Sequence, residues 1–276
     1  MTWIDAVRRR TPRTLFPLAR TLYHRLVVPV ECAAVTATDR LLHRTYEGRV
    51  LPPAALRFKV RGTPSGDVFA RVGRDSARQI DDALGRGGRS LADYRAILDF
   101  GCGCGGTLTW VRELAPQAAL SGTDIDGEAI AWCRAQLPWA AFGVNAAQPP
   151  LPYADAAFEL VYALSVFTHL DEAHQRQWLA ELRRVIAPGG TCLVTLHGPD
   201  TATSLSSRDR QRLTDHGFAF VRTNATRGLF PEWYQNAYHE PWYVQETFAE
   251  YFDVGTYVPR GLIGHQDIVV LSRRAD

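Results

Sequence analysis

The chain has 276 residues, 46% of them hydrophobic and 22% charged, an ordinary balance for a globular protein with ample material for a core. Its formal charge of +2 is too small to make nucleic acid the expected partner, and no run of about eighteen apolar residues marks a transmembrane helix, so no membrane insertion is expected. Five scattered cysteines, Cys32, Cys102, Cys104, Cys133 and Cys192, have neither zinc-ligand spacing nor a disulfide framework, which fits a reducing, cytoplasmic compartment.

In chain order, Met1 to Arg25 holds Arg8, Arg9, Arg10, Arg13, Arg20 and Arg25 against a single Asp5. It lacks the apolar core and cleavage site of a secretory signal. It reads either as a solvated helical face or as a basic edge attracting an anionic substrate, a carrier protein or a membrane surface. Residues 1–95 read as a mostly helical extension, with Val68, Phe69, Val72, Ala77, Ile80 and Leu84 on one helical face. From Ala96 short apolar strands alternate with amphipathic helices. Strands are expected at 96–100, 118–123, 139–144, 158–163 and 191–196, and helices at 107–114, 128–137 and 172–186, the last closed by Pro188-Gly189-Gly190. Alternation of this kind demands right-handed crossovers and a mainly parallel sheet with helices on both faces. Two extended runs, 252–258 and 266–272, are expected to pair as an antiparallel hairpin at the sheet edge. Before them, residues 203–247 carry Phe218, Phe220, Phe230, Trp233, Tyr234, Tyr238, Trp242 and Tyr243. That stretch reads as a cap before the last two strands, either walling an organic ligand or packing its rings onto the sheet.

The glycine-rich turn Asp99-Phe100-Gly101-Cys102-Gly103-Cys104-Gly105-Gly106 ends a strand and opens a helix, so its amides and the helix N-terminus face a ligand. Gly101, Gly103 and Gly106 satisfy G-x-G-x-x-G, and Asp124 stands at a plausible distance for a nicotinamide dinucleotide ribose. A nicotinamide-dependent oxidoreductase is therefore one reading of the turn.

The wider pattern resembles something else. Asp99 two residues ahead of the first glycine gives Asp-x-Gly-x-Gly-x-Gly, similar to motif I of class I S-adenosylmethionine-dependent methyltransferases. Leu151-Pro152-Tyr153-Ala154-Asp155-Ala156-Ala157-Phe158-Glu159-Leu160-Val161, Ser165 to Leu170, and Leu182 to Gly190 resemble that family's later blocks, in the same order. The resemblance covers about residues 96–197. It implies a Rossmann-like, seven-stranded α/β sheet at residues 96–276, with S-adenosylmethionine as cofactor and S-adenosylhomocysteine as product. Gly101, Cys102, Gly103 and Gly105 would lie along the methionine portion and ribose, and Asp99 would position the ammonium end. Asp124 would accept both ribose hydroxyls, Ile125 would flank the adenine, and Ser165 would border the sulfonium. Where many members carry an acidic residue against the adenine amino group, this chain has Asn145 followed by Ala146; an amide oxygen still accepts there. Asp126 reads as a helix N-cap.

Methyl transfer from a sulfonium needs alignment and water exclusion, and a hydroxyl or amine acceptor also needs a proton acceptor. His169 and His197, each after a strand, are the candidate bases; each also reads as an ordinary loop residue, and His239 and His265 rank below them. No Asn/Asp-Pro-Pro-Tyr/Trp sequence follows the fourth strand, and no acidic cluster suggests a metal. The expected acceptor is an oxygen or nitrogen, less readily a carbon, of a small organic molecule such as a natural-product intermediate or a sugar. The protein is expected to be a monomer or homodimer. A non-catalytic cofactor-binding partner subunit and a protein or RNA methyltransferase are the other readings.

Overall fold

The computed structural model describes residues 22–222 and 235–275. Most of the basic start, and Phe230, Trp233 and Tyr234, lie outside them. The chain divides into two compact units: Met1–Phe69 with Arg222–Tyr234, and Ala70–Val221 with Gln235–Asp276.

In the first unit, a π-turn at Tyr23–Val27 leads into α1 (Val28–Leu41), then a two-stranded ribbon, β1 (Thr45–Tyr46) and β2 (Arg49–Val50), and α2 (Ala54–Arg61). Val28, Cys32 and Ala54 form its small core with Val35 and Phe58 packed against them. The Arg57 guanidinium is buried, yet fully used: Nη2 donates to Asp39 Oδ2 at 2.6 Å, Nε to the Pro64 carbonyl and Nη1 to the Pro52 carbonyl. A buried cation is tolerable only with such a set of partners.

In the second unit, most of α3 (Gly66–Gly85) precedes β3 (Ala96–Phe100), α4 (Leu108–Leu114), β4 (Ala119–Asp124), α5 (Gly127–Gln136), β5 (Ala141–Val144), β6 (Phe158–Ala163), α6 (Glu172–Val185) and β7 (Ile186–Leu196). After these come α7 (Ser207–His216), β8 (Phe218–Val221), β9 (Asn236–His239), α8 (Pro241–Phe248), β10 (Asp253–Leu262) and β11 (Gln266–Ser272). One seven-stranded sheet runs β10-β11-β7-β6-β3-β4-β5. β3 to β7 are parallel, and β11 joins β7 antiparallel with β10 outside it. This is the seven-stranded, Rossmann-like sheet that was expected, and the expected edge hairpin is present.

Strands with both faces covered read as continuous apolar runs. Leu98, Phe100, Val161, Ala163, Val194 and Val269 meet Trp178, Leu182 and Phe248 in the principal core. Phe100 and Trp178 have ring centroids 4.6 Å apart. Arg184 ties loop to helix, giving Glu181 both Nε (2.9 Å) and Nη2 (2.6 Å) and Asp155 its Nη1 (2.6 Å). Glu181 in turn accepts the Leu151 amide. Burial pushes the Glu181 carboxyl up, but Arg184 and that amide outweigh it and hold it below its usual range. The loop before β6 is thereby fixed against α6.

One expectation needs correction. β7 begins at Ile186, so Pro188-Gly189-Gly190 lies inside the strand rather than closing the preceding helix. The ladder reaches past those residues because Gly189 N donates to the Arg273 carbonyl and Arg273 N to the Gly190 carbonyl, beside a register shift opposite Phe158–Leu160. The stretch after β7 holds strands as well as helices. β8 and β9 form an antiparallel ribbon, and α8 sends Val244 and Phe248 into the main core. Among the described residues no helix is long and apolar enough to cross a membrane.

Candidate functional site

In a parallel sheet, ligands bind beyond the carboxyl ends of the strands, where the strand order reverses. Here that point lies between β3 and β6. The turn after β3 continues its pairing with β4: Gly101 N and Cys102 N both donate to the Thr123 carbonyl, at 2.8 and 3.0 Å. Gly101 then takes φ +81°, and a β-carbon there would overlap Val166 Cγ2 across the reversal point. Glycine is required at 101 by both backbone sign and space. Behind the turn, a β-carbon on Gly73 of α3 would overlap the Gly106 carbonyl, so that helix closely backs the loop.

Asp124 ends β4. Its Oδ2 accepts the Gly103 amide at 2.7 Å and its Oδ1 the Asp126 amide at 2.8 Å. Burial raises its pKa, opposed by the amides of Asp126, Gly103 and Ile125. A carboxylate has about four acceptor sites, so acceptor capacity remains for a ribose hydroxyl. Ile125 beside it is 46% exposed, a large apolar surface next to a part-buried carboxylate. These residues fit a nucleoside. Asp126 caps α5 as expected, accepting from Glu128 N and Ala129 N.

Asp99 is buried and accepts the Tyr162 hydroxyl at 2.9 Å, a partner missed in the sequence because tyrosine passes for an apolar strand residue. Cys102 is buried too. Its sulfur lies 3.6 Å from the Gly103 carbonyl and close to Cys133, and its own carbonyl accepts the Gly105 amide, so it shapes the turn. No disulfide links the five buried cysteines. Asn145 is more occupied than expected: Oδ1 accepts the Thr123 hydroxyl at 2.9 Å and Nδ2 donates to the exposed Ala146's carbonyl at 2.8 Å. Only the second lone pair of Oδ1 is left for an adenine amino group.

Across the reversal point the polar groups are side chains. Ser165 holds a left-handed φ of +58°, uncommon for a residue with a β-carbon. A closed ring of hydrogen bonds maintains it. Ser165 N donates to Thr195 Oγ1 (2.7 Å), Thr195 Oγ1 to Gln266 Oε1 (2.7 Å), and Gln266 Nε2 to Ser165 Oγ (2.9 Å). Thr195 lies on the same face of its strand as His197, two residues on. The sequence contained no local sign of this ring, since Gln266 lies 101 residues from Ser165.

His197 is buried and packs among rings: Tyr238 at 5.3 Å, His265 at 5.5 Å and His169 at 6.3 Å between centroids. Its Nδ1 is buried with no protein partner. His169 Nδ1 lies 2.8 Å from the Gln235 carbonyl, so Nδ1 carries the hydrogen and Nε2 the lone pair. Burial lowers both pKa values to about 4, with His169 and His265 adding to the effect on His197. The structure thus brings both candidate bases together, with His265 and Tyr238 beside them. His239 is different: it is fully buried, and its Nε2 meets Gln175 Oε1 at 2.9 Å.

The aromatic stretch mostly packs on itself. Phe218 stacks on Tyr243 at 5.6 Å and lies 5.2 Å from His239, and all three are buried. Among its described rings only Trp242 is strongly exposed.

Residues 97–190 match the family model of the methyltransferase domain. The trans-aconitate 2-methyltransferase of Methylobacterium nodulans is 28% identical over 159 residues, 55% of this chain and 50% of that protein. A malonyl-[acyl-carrier protein] O-methyltransferase of Legionella pneumophila is 32% identical over 41% of this chain and 40% of its own length. The matches thus span half or less of these relatives. Among solved structures, a SAM-dependent methyltransferase from Methanosarcina mazei aligns with a TM-score of 0.52 at 17% identity, covering 66% of this chain and 93% of the other. An O-methyltransferase family protein from Burkholderia thailandensis aligns at 0.53 and 16%, covering 79% and 62%. At these identities the structural likeness speaks for the fold.

Proposed function

We propose that the chain, whose residues 97–190 match the methyltransferase-domain model, uses S-adenosylmethionine to methylate an oxygen or nitrogen of a small organic molecule. The observation that carries this reading is the pair His169 and His197 beyond the carboxyl ends of β6 and β7, both neutral at pH 7.

S-adenosylmethionine supplies a methyl group already activated on a sulfonium. The chain's work is to hold, align and deprotonate. Asp124, itself held by the amide of Gly103, holds the ribose side, Ile125 flanks the base, and Asp99, steadied by Tyr162, serves the amino-acid end. Ser165, fixed by Thr195 and Gln266, borders the acceptor. The acceptor's proton goes to the imidazole of His197 or to His169 Nε2. Their depressed basicity matters: an imidazole with a pKa of about 4 does not pre-form an alkoxide. It takes a proton that turns acidic as the new bond forms, which suits an enolic or phenolic hydroxyl, or an amine losing its proton after attack.

The test is transfer of labelled methyl from S-adenosylmethionine into pools of phenols, amines and carboxylic acids, with protein and RNA fractions alongside. Label in phenols or amines, lost with His197→Ala, supports the reading. Label only in carboxylic acids, unaffected by that change, refutes the base; label only in macromolecules refutes the small acceptor.

A further inference from the structure

α1 is apolar on two opposite sides. One side, Val28 and Cys32 with Val35, is used in the core against α2. On the other, Leu22, Leu26, Val30, Ala33, Ala37 and Leu41 recur at three- and four-residue steps from the π-turn to the helix end. All six are exposed, Leu26 at 63%, Val30 at 68% and Leu41 at 80%. A helix apolar all round is ordinarily covered all round, and an exposed aliphatic stripe of five turns marks a contact surface.

Charge says which contact. Residues 1–69 hold twelve lysines and arginines against five acidic residues, a net +7, whereas residues 70–276 hold nineteen against twenty-four, a net −5. An asymmetry of this size points to an anionic partner for the first segment. Self-association through the stripe would bring two +7 segments together, which repulsion opposes. We propose that α1 and its basic surroundings dock the protein peripherally on an anionic lipid bilayer, with the Leu26–Val30 stripe entering the interface and the arginines meeting the headgroups. An aliphatic stripe supplies burial in the acyl boundary, and each nearby basic residue adds attraction that salt screens. The site chemistry proposed above plays no part in this docking.

The experiment is co-sedimentation of the full chain with vesicles of equal parts phosphatidylcholine and phosphatidylglycerol, and with phosphatidylcholine alone. Binding is expected only to the anionic vesicles, falling as salt rises. Leu26→Glu with Val30→Glu should weaken it at least about tenfold, leaving the melting temperature and S-adenosylhomocysteine binding unchanged, because both positions face outward. No vesicle binding, equal binding to both vesicle types, or an unaffected double variant would overturn the proposal. So would a protein dimer that the double variant dissociates without any vesicle binding.

Discussion

The two sides of the strand reversal are built by different means. On the β3–β5 side every ligand-facing feature lies between Asp99 and Ala146, and the turn is held by backbone amides and one carboxylate. On the β6–β7 side the polar surface joins Ser165 to Gln266 and His169 to Gln235, contacts 101 and 66 residues apart. The first is set by short-range backbone geometry, so few substitutions leave it intact. The second forms only when the C-terminal hairpin and the β8–β9 ribbon have docked, and side chains there can change without disturbing the turn.

The largest expected break falls on the first side. If Asp124 holds the ribose as proposed, Asp124→Ala removes charge-assisted hydrogen bonds worth about 1.5–3 kcal/mol each and frees the Gly103 amide. S-adenosylhomocysteine affinity measured by calorimetry should fall by about 10² or more. Gly101→Ala should cost about 3 kcal/mol of stability, combining a left-handed backbone with overlap on Val166. Thermal unfolding checks it, and adding Val166→Ala should recover the overlap and not the backbone cost.

On the second side, His197→Ala should lower kcat by about 10² for a hydroxyl acceptor while leaving S-adenosylhomocysteine affinity unchanged. With both histidines at about 4, the rate should show no protonation limb near pH 6.5. His239, lowered to about 3 chiefly by burial and then by His197, stays neutral in the fold and protonates when unfolded below pH 6.5. Stability is therefore lost as pH falls from 6.5 toward 3. His239→Gln should flatten that loss by roughly 2 kcal/mol between pH 6.5 and 5, read from denaturant midpoints. Smallest, Gln266→Leu should raise the acceptor KM several-fold through a loosened Ser165 and leave cofactor binding alone.

The same division explains what could be read in the sequence. The strand and turn from Ala96 to Gly106 are local and legible in a short window, whereas the roles of Asp99 and Asp124 rest on the wider resemblance. The ring through Gln266 was invisible, because no short window contains it. Pro188-Gly189-Gly190 reads as a stop, yet pairing with Arg273 across the sheet carries them into β7. The aromatic run left a ligand wall and packed rings both open, because composition cannot distinguish a ring lining a cavity from Phe218 stacked on Tyr243. Asn145 looked available because its Thr123 partner lies on the neighbouring strand.

The central claim is that the turn and Asp124 hold S-adenosylmethionine rather than a nicotinamide dinucleotide. Titration calorimetry of the full chain with S-adenosylhomocysteine and with reduced nicotinamide dinucleotide tests it directly. Binding of the first, abolished by Asp124→Ala, with no heat from the second, is the predicted result; binding of the dinucleotide alone would contradict it.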